Sequence, residues 1–408
     1  MIVYRIYINV FFFVLAVTIA PFVGDGGKNY LLLGVIAFSP LFFIVHRVKF
    51  DRVVYAFLFF ILCISLSVLV NFSLFRANTF FYTIFFVLSF LLLRDGILKG
   101  FFSIESLIKK IKILIYAYLI TLVVQQFCVL LHLPVINQIF CFDDPWKLPS
   151  LALEPSHLPR FLFFLMYAYL SLKSLLLGRP YKLSDMKKDR FIWFAYFWSM
   201  LTCGSVTALL FVLLIFLTGR KITVKNVLGM VFCGCFALLL IVEFTNSVLL
   251  NRTILFLHAF FTFSIEEIVY VDESAAYRVL PFFAFANTIN LWDVHSWLGY
   301  GIDTGRAICN SYMYSISGDV NYMNGVNIGG MAAFVIDYGL IFIVSLSRAI
   351  FETIKYCKDK MILVVWIISS LVESINMQMF WFSLTLLVCV SYYTKMIAIS
   401  VKQGRILK

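Results

Sequence analysis

Between two long apolar runs, the stretch KLPSLALEPSHLPR brings together Lys147, Glu154, His157 and Arg160. Charge at the edge of apolar sequence is costly unless it faces a polar cavity, lipid headgroups or an opposite charge. An interfacial loop would explain the same residues, with Arg160 snorkelling at the start of the next helix and Pro155 and Pro159 beginning it. A second group lies in SAAYRVLPFFAFANTINLWDVHSWLGYGIDTG, where Arg278 precedes the spaced glycines Gly299, Gly301 and Gly305. Such glycines expose backbone N–H groups to an anion, and an arginine fork grips phosphate oxygens. Glycines in a loop also simply turn it, and the dinucleotide GxGxxG order is absent. Asp337, Glu243 and Glu373 are acids near or inside apolar segments, each a functional candidate unless a neighbouring hydroxyl or water satisfies it. His258 and His295 have no ligand spacing to another His, so no metal site is expected.

The elements that must position these residues follow from composition. Of 408 residues, 62% are hydrophobic and 13% charged, with mean hydropathy +0.97. That much apolar surface exceeds what a soluble core absorbs, so the chain is expected to be an all-α, polytopic integral membrane protein. Apolar runs are expected to span at 6–23, 30–45, 53–70, 78–93, 113–133, 160–177, 191–203, 206–218, 226–248, 327–347, 361–374 and 377–394. Residues 191–218 are divided in two because the loops GRPYKLSDMKKDR and GRKITVK on either side are both basic. The chain must therefore return between them, turning near CGSVT.

Basic residues alternate sharply between the two sets of loops. One set, with Arg5, carries 25 of the 33 Lys and Arg; the other holds Lys28, Arg76, Lys147, Arg160, Arg252, Arg278 and Arg306, and Lys173 lies within a span. Twelve spans with both termini cytoplasmic fit this bias, which also accounts for the net charge of +12 without a nucleic-acid partner. Residues 1–408 then form a single membrane domain with a smaller extracytoplasmic loop at 134–159 and a large one at 249–326. In the large loop, Leu250, Ile254, Leu257 and Phe261 recur at helical spacing, as in a helix lying in the interface. Nine cysteines show no metal-ligand spacing. Cys141 and Cys309 both fall outside the cytoplasm on this topology, but no spacing argument links them, and unpaired thiols are the simpler expectation.

In order along the chain, several elements resemble the bacterial O-antigen ligase and polymerase superfamily, and its polymerase members most closely. They are Glu154-Pro155-Ser156 ahead of a span, Leu201-Thr202 with Ser205 and Thr207 at a helical tip, Ser274 with Arg278 leading to Gly299 and Gly301, and Tyr338-Gly339-Leu340-Ile341. The resemblance covers roughly residues 147–345. Lys147 stands where the family often has Arg, Val206 where Arg follows the tip Ser, and Met323-Asn324 where the ligase branch has a His beside Asn.

The resemblance implies a glycosyltransferase that joins polyprenyl-diphosphate-linked oligosaccharides at the periplasmic face of the inner membrane, building surface or capsular polysaccharide and releasing polyprenyl diphosphate. It implies that Arg278 holds the diphosphate, helped by Lys147, Arg160 and Arg252, while Glu154, His157 or His295 takes the proton of the attacking hydroxyl. Activation resides in the lipid diphosphate, so no cofactor, nucleotide sugar, ATP or metal is expected. Membrane lipid and a chain-length regulator are the further candidate partners. A lipid-linked oligosaccharide flippase and an O-antigen ligase remain as alternatives, although the repeated halves common in transporters are not visible.

Overall fold

The structure, a computed structural model, describes residues 1–24, 28–140, 144–203, 205–217, 255, 258–259, 262, 265–271, 273–318, 320, 330–357 and 359–402. Its first helices are α1 (Ile2–Ala16), α2 (Tyr30–Ile36), α3 (Ser39–Val45), α4 (Arg52–Val70), α5 (Ala77–Leu98), α6 (Ile104–Leu130) and α7 (Leu158–Leu177). A hairpin of α8 (Arg190–Thr202) and α9 (Val206–Leu217) follows. The later helices are α10 (Ile265–Val271), α11 (Glu273–Thr288), α12 (Val294–Leu298), α13 (Thr304–Ser317), α14 (Gly330–Tyr338), α15 (Leu340–Ile354), α16 (Lys360–Leu371) and α17 (Gln378–Lys402). No β-strand occurs among the described residues.

Five of these helices, α4 to α7 and α17, are long and apolar enough to cross a membrane, and α14 with α15 makes a sixth span if the bent pair counts as one. Their outer faces confirm an apolar environment. On α4, Tyr55, Phe59, Leu62, Leu66 and Leu69 are exposed at alternating spacings of four and three, while Val54, Phe57, Phe60 and Ile64 are buried. Ile113, Ile120, Val124 and Phe127 expose a similar strip on α6, as do Phe191, Phe194, Trp198 and Leu201 on α8. A water-facing helix carries polar residues on that stripe, so these faces meet lipid.

Local chemistry sets the helix ends. The Asp51 carboxylate accepts the N–H groups of Val53 and Val54, both at 3.1 Å, and Ser103 accepts that of Ser106 at 3.1 Å; both are N-caps. Gly178, at φ 63°, closes α7 in the left-handed conformation that glycine adopts freely. The expected 30–45 span is interrupted at Ala37–Phe38, just before Pro40 opens α3; a proline cannot donate the hydrogen bond that would continue α2. In the hairpin, the Tyr196 hydroxyl donates to the Phe211 carbonyl at 3.2 Å and Trp193 stacks on Phe216. The two short helices are therefore antiparallel, and both pack on α7.

The expected 327–347 span is not one helix. At Gly339 the chain bends by 119° between α14 and α15. Gly339 adopts φ 80°, ψ 177°, a region that is essentially glycine-only. A Cβ there would lie 2.2 Å from the Trp297 carbonyl oxygen, and one at Gly299 would lie 2.1 Å from that of Asp337. The glycine-rich turn is thus pressed backbone to backbone against the end of α14. Gly339→Ala is expected to cost about 3 kcal/mol or more, read as a lowered melting temperature of the detergent-purified protein.

Part of the large loop expected at 249–326 is helical. Ile268, Leu280, Ala284, Cys309 and Met313 form a second core with Ala333 and Ile336 of α14, so α10, α11 and α13 cap that helix. Cys309 is buried and free. The expected 226–248 span, Glu243, Arg252, Cys141, Met323-Asn324 and most of the interfacial helix from Leu250 to Phe261 lie outside the described residues.

Candidate functional site

The polar stretch ahead of α7 folds back on the turn between α16 and α17. Arg160, in the first turn of α7, forms an ion pair with Glu373, and both side chains are buried. The His157 imidazole lies between two carboxylates, its Nε2 being 3.8 Å from Glu373 Oε1 and 3.9 Å from Glu154 Oε2. Ser156 donates to Glu154 Oε2 at 3.2 Å. The charge of Arg278, on α11, acts on both His157 and Arg160. Three residues singled out in the sequence, Glu154, His157 and Arg160, are therefore brought together, and Arg278 lies within electrostatic range of them.

Glu373 completes the group. Its Oε2 is buried with no hydrogen-bond partner among the described residues, an unusual state for a carboxylate oxygen. It was visible in the sequence as an acid at the edge of an apolar run, but nothing there tied it to Arg160, 213 positions away. The pairing also changes the expectation for Arg160. A guanidinium held by a buried carboxylate is committed to that partner, so Arg160 orients the cluster.

His157 sits just ahead of the α7 span. Burial pushes its pKa down, and Arg160 and Arg278 add to this while Glu154 opposes it. The buried imidazole therefore holds a proton less tightly than a free one. An unfolded chain would take up that proton near the ordinary His pKa, so stability should fall as pH drops from about 6.5 towards the depressed native value. Between about pH 7 and about pH 5, the wild type is expected to lose more melting temperature than His157→Gln, which has no imidazole to protonate. Equal losses would contradict the burial argument.

Beside the cluster opens a cavity of about 540 Å³, with His157 and Phe161 on its wall. Lys28, Arg76, Asp303 and Arg306 also line it. Arg76 is paired with Asp303 at 3.1 Å, whereas Lys28 and Arg306 have no ion pair among the described residues. The sequence grouped Lys28, Arg76 and Arg306 with the sparse cations of one side, and all three line this cavity. Its other acid, Asp337, accepts the Gly305 N–H at 2.7 Å.

The remaining expected residues lie elsewhere. The glycine turn does not present its N–H groups to a ligand: Tyr300 donates to the Ile336 carbonyl at 2.9 Å and Gly301 to that of Asp337 at 3.2 Å. His295 is exposed and stacks on Tyr300, with no described contact to the cluster. Lys147 occupies a turn in which its N–H donates to the Asp144 carbonyl at 3.1 Å, and its ammonium makes no described ion pair. At the hairpin tip, Ser205 and Thr207 hydrogen-bond each other at 2.9 Å.

Chemically, the site offers cations for an anion and, on the cavity wall, an imidazole backed by the buried Arg160–Glu373 pair. No family model, no curated protein and no solved structure matches the chain.

Proposed function

We propose that the chain is a surface-polysaccharide polymerase that joins polyprenyl-diphosphate-linked oligosaccharide repeats at the outer face of a bacterial inner membrane. A hydroxyl of the acceptor sugar attacks the anomeric carbon of the donor glycan. The bond from that carbon to the diphosphate breaks, and polyprenyl diphosphate leaves with the bonding electron pair. The hydroxyl proton passes to Glu154, His157 or Glu373. Arg278 stabilises the leaving group together with the cations of the neighbouring cavity, and the lipid diphosphate supplies the activation. Twelve spans, cytoplasmic termini and outer loops at 134–159 and 249–326 belong to the same proposal.

The observation that supports this reading is the convergence of Glu154, His157, Arg160 and Glu373, within range of Arg278, beside a cavity bearing Lys28 and Arg306. A lipid-borne diphosphate needs cations at the depth of the headgroups, and a glycosyl transfer needs a base beside them. Deleting the gene tests it. Expected are surface glycans reduced to single repeats, with lipid-linked single repeats accumulating on the outer leaflet. Accumulation on the inner leaflet would replace the polymerase with a flippase, and polymer stranded on the carrier lipid would replace it with a ligase.

A further inference from the structure

A second cavity, of about 470 Å³, opens where α4 begins, α5 ends and the last turn of α15 meets α17. Three acids on its wall are each held by a cation: Asp51 by Arg94 and Asp95 by Lys99, both at 2.6 Å, and Glu352 by Lys355. Three further cations line the same space, Lys49, Arg52 and Lys395, and none has an ion pair among the described residues. They come from the loop before α4, from α4 and from α17, and they converge on one cavity with its acids already neutralised. The buried Ser391 hydroxyl on the α17 wall has the Cys357 thiol as its one neighbour of hydrogen-bonding type among the described residues.

We propose that this cavity binds the phosphate of an anionic membrane lipid. The Arg52 fork offers paired N–H donors to phosphate oxygens, Lys49 and Lys395 add charge, and Ser391 supplies a hydroxyl. Its level in the fold supports a lipid. Ala77, at the start of α5, lines the first cavity and Leu98, at its end, lines the second. A helix of 22 residues rises about 33 Å, close to the roughly 30 Å hydrocarbon thickness. The two cavities therefore sit at opposite headgroup levels. Phe50, Tyr55 and Phe351, next to or one turn from lining residues, are exposed, and they give acyl chains a flank that a soluble phosphate would not use. Basic pockets of this kind between spans suit anionic headgroups. The assignment does not depend on the proposed reaction, because its test reads no glycan.

The full chain, purified and reconstituted in nanodiscs of phosphatidylcholine with phosphatidylglycerol, is compared by native mass spectrometry with the double variant Arg52→Gln/Lys395→Gln. Wild type and Arg278→Ala are expected to retain phosphatidylglycerol in preference to phosphatidylcholine. The double variant should hold it roughly 25-fold more weakly, about five-fold per cation removed. Arg52→Lys/Lys395→Arg keeps both charges and should retain most of the binding, which separates lost charge from lost folding. Equal retention by wild type and the Gln double variant would overturn the site. If inorganic phosphate binds there while phosphatidylglycerol is retained no better than phosphatidylcholine, a lipid source is overturned.

Discussion

Arg278→Ala is expected to abolish long-chain surface glycan, with transfer reduced about 100-fold or more at an unchanged protein level. Arg278 is the residue of α11 whose charge acts on both His157 and Arg160. Arg160 is held by Glu373, and in the proposed reaction Arg278 acts on the diphosphate together with Lys28 and Arg306 of the adjoining cavity. Negative charge on the leaving oxygen grows as the glycosidic bond breaks, so a cation there acts on the transition state more than on bound substrate. Arg278→Lys should restore little, since an ammonium is a point charge and cannot make two parallel contacts to a diphosphate. Lys28→Ala and Arg306→Ala should shorten chains without abolishing them. A normal ladder of chain lengths from Arg278→Ala would exclude Arg278 from the reaction.

The sequence carried the limits of α4, α7, α8 and α9 to within two residues because hydropathy and charge mark where such a segment begins and ends. Asp51 and Arg52 announce the start of α4, and basic loops on both sides of 191–218 required the hairpin that the Tyr196–Phe211 hydrogen bond closes. Hydropathy does not register direction, so the bend at Gly339 was invisible inside an apolar run. Gly299, Gly301 and Gly305 stood out as spaced glycines, but an exposed anion loop and a tight backbone seam look alike in sequence. Which it is depends on the partner, and here the partner is α14, to which the Tyr300, Gly301 and Gly305 N–H groups donate. The site was half legible for a related reason. Glu154, His157 and Arg160 are neighbours in the chain and were seen as one group, while Glu373 reaches them only through packing of the α16–α17 turn against α7.

That long-range pair carries the second large effect. Glu373→Ala would leave Arg160, 6% exposed, as a buried charge without its partner, at a cost of about 3–5 kcal/mol. The detergent-purified variant should melt well below the wild type and make no long glycan. Stability alone would explain that result, so the decisive comparison is the double replacement Arg160→Met/Glu373→Leu. Removing both charges together leaves nothing unpaired, and apolar replacements of similar volume are often neutral or stabilising at such sites. The double variant is therefore expected to melt near the wild type. If the pair were only a strut between α7 and the α16–α17 turn, polymerisation would return with stability. The geometry favours the opposite outcome, because Glu373 Oε1 lies 3.8 Å from His157 and its second oxygen has no described partner. A hydroxyl proton arriving at that corner would lose its acceptor. Glu373→Gln gives an independent check, since an amide retains a hydrogen-bonding oxygen for Arg160 but is a far poorer base. It should preserve more of the melting temperature than Glu373→Ala while the glycan ladder still collapses to short products; full-length glycan from Glu373→Gln would reduce Glu373 to a structural partner of Arg160.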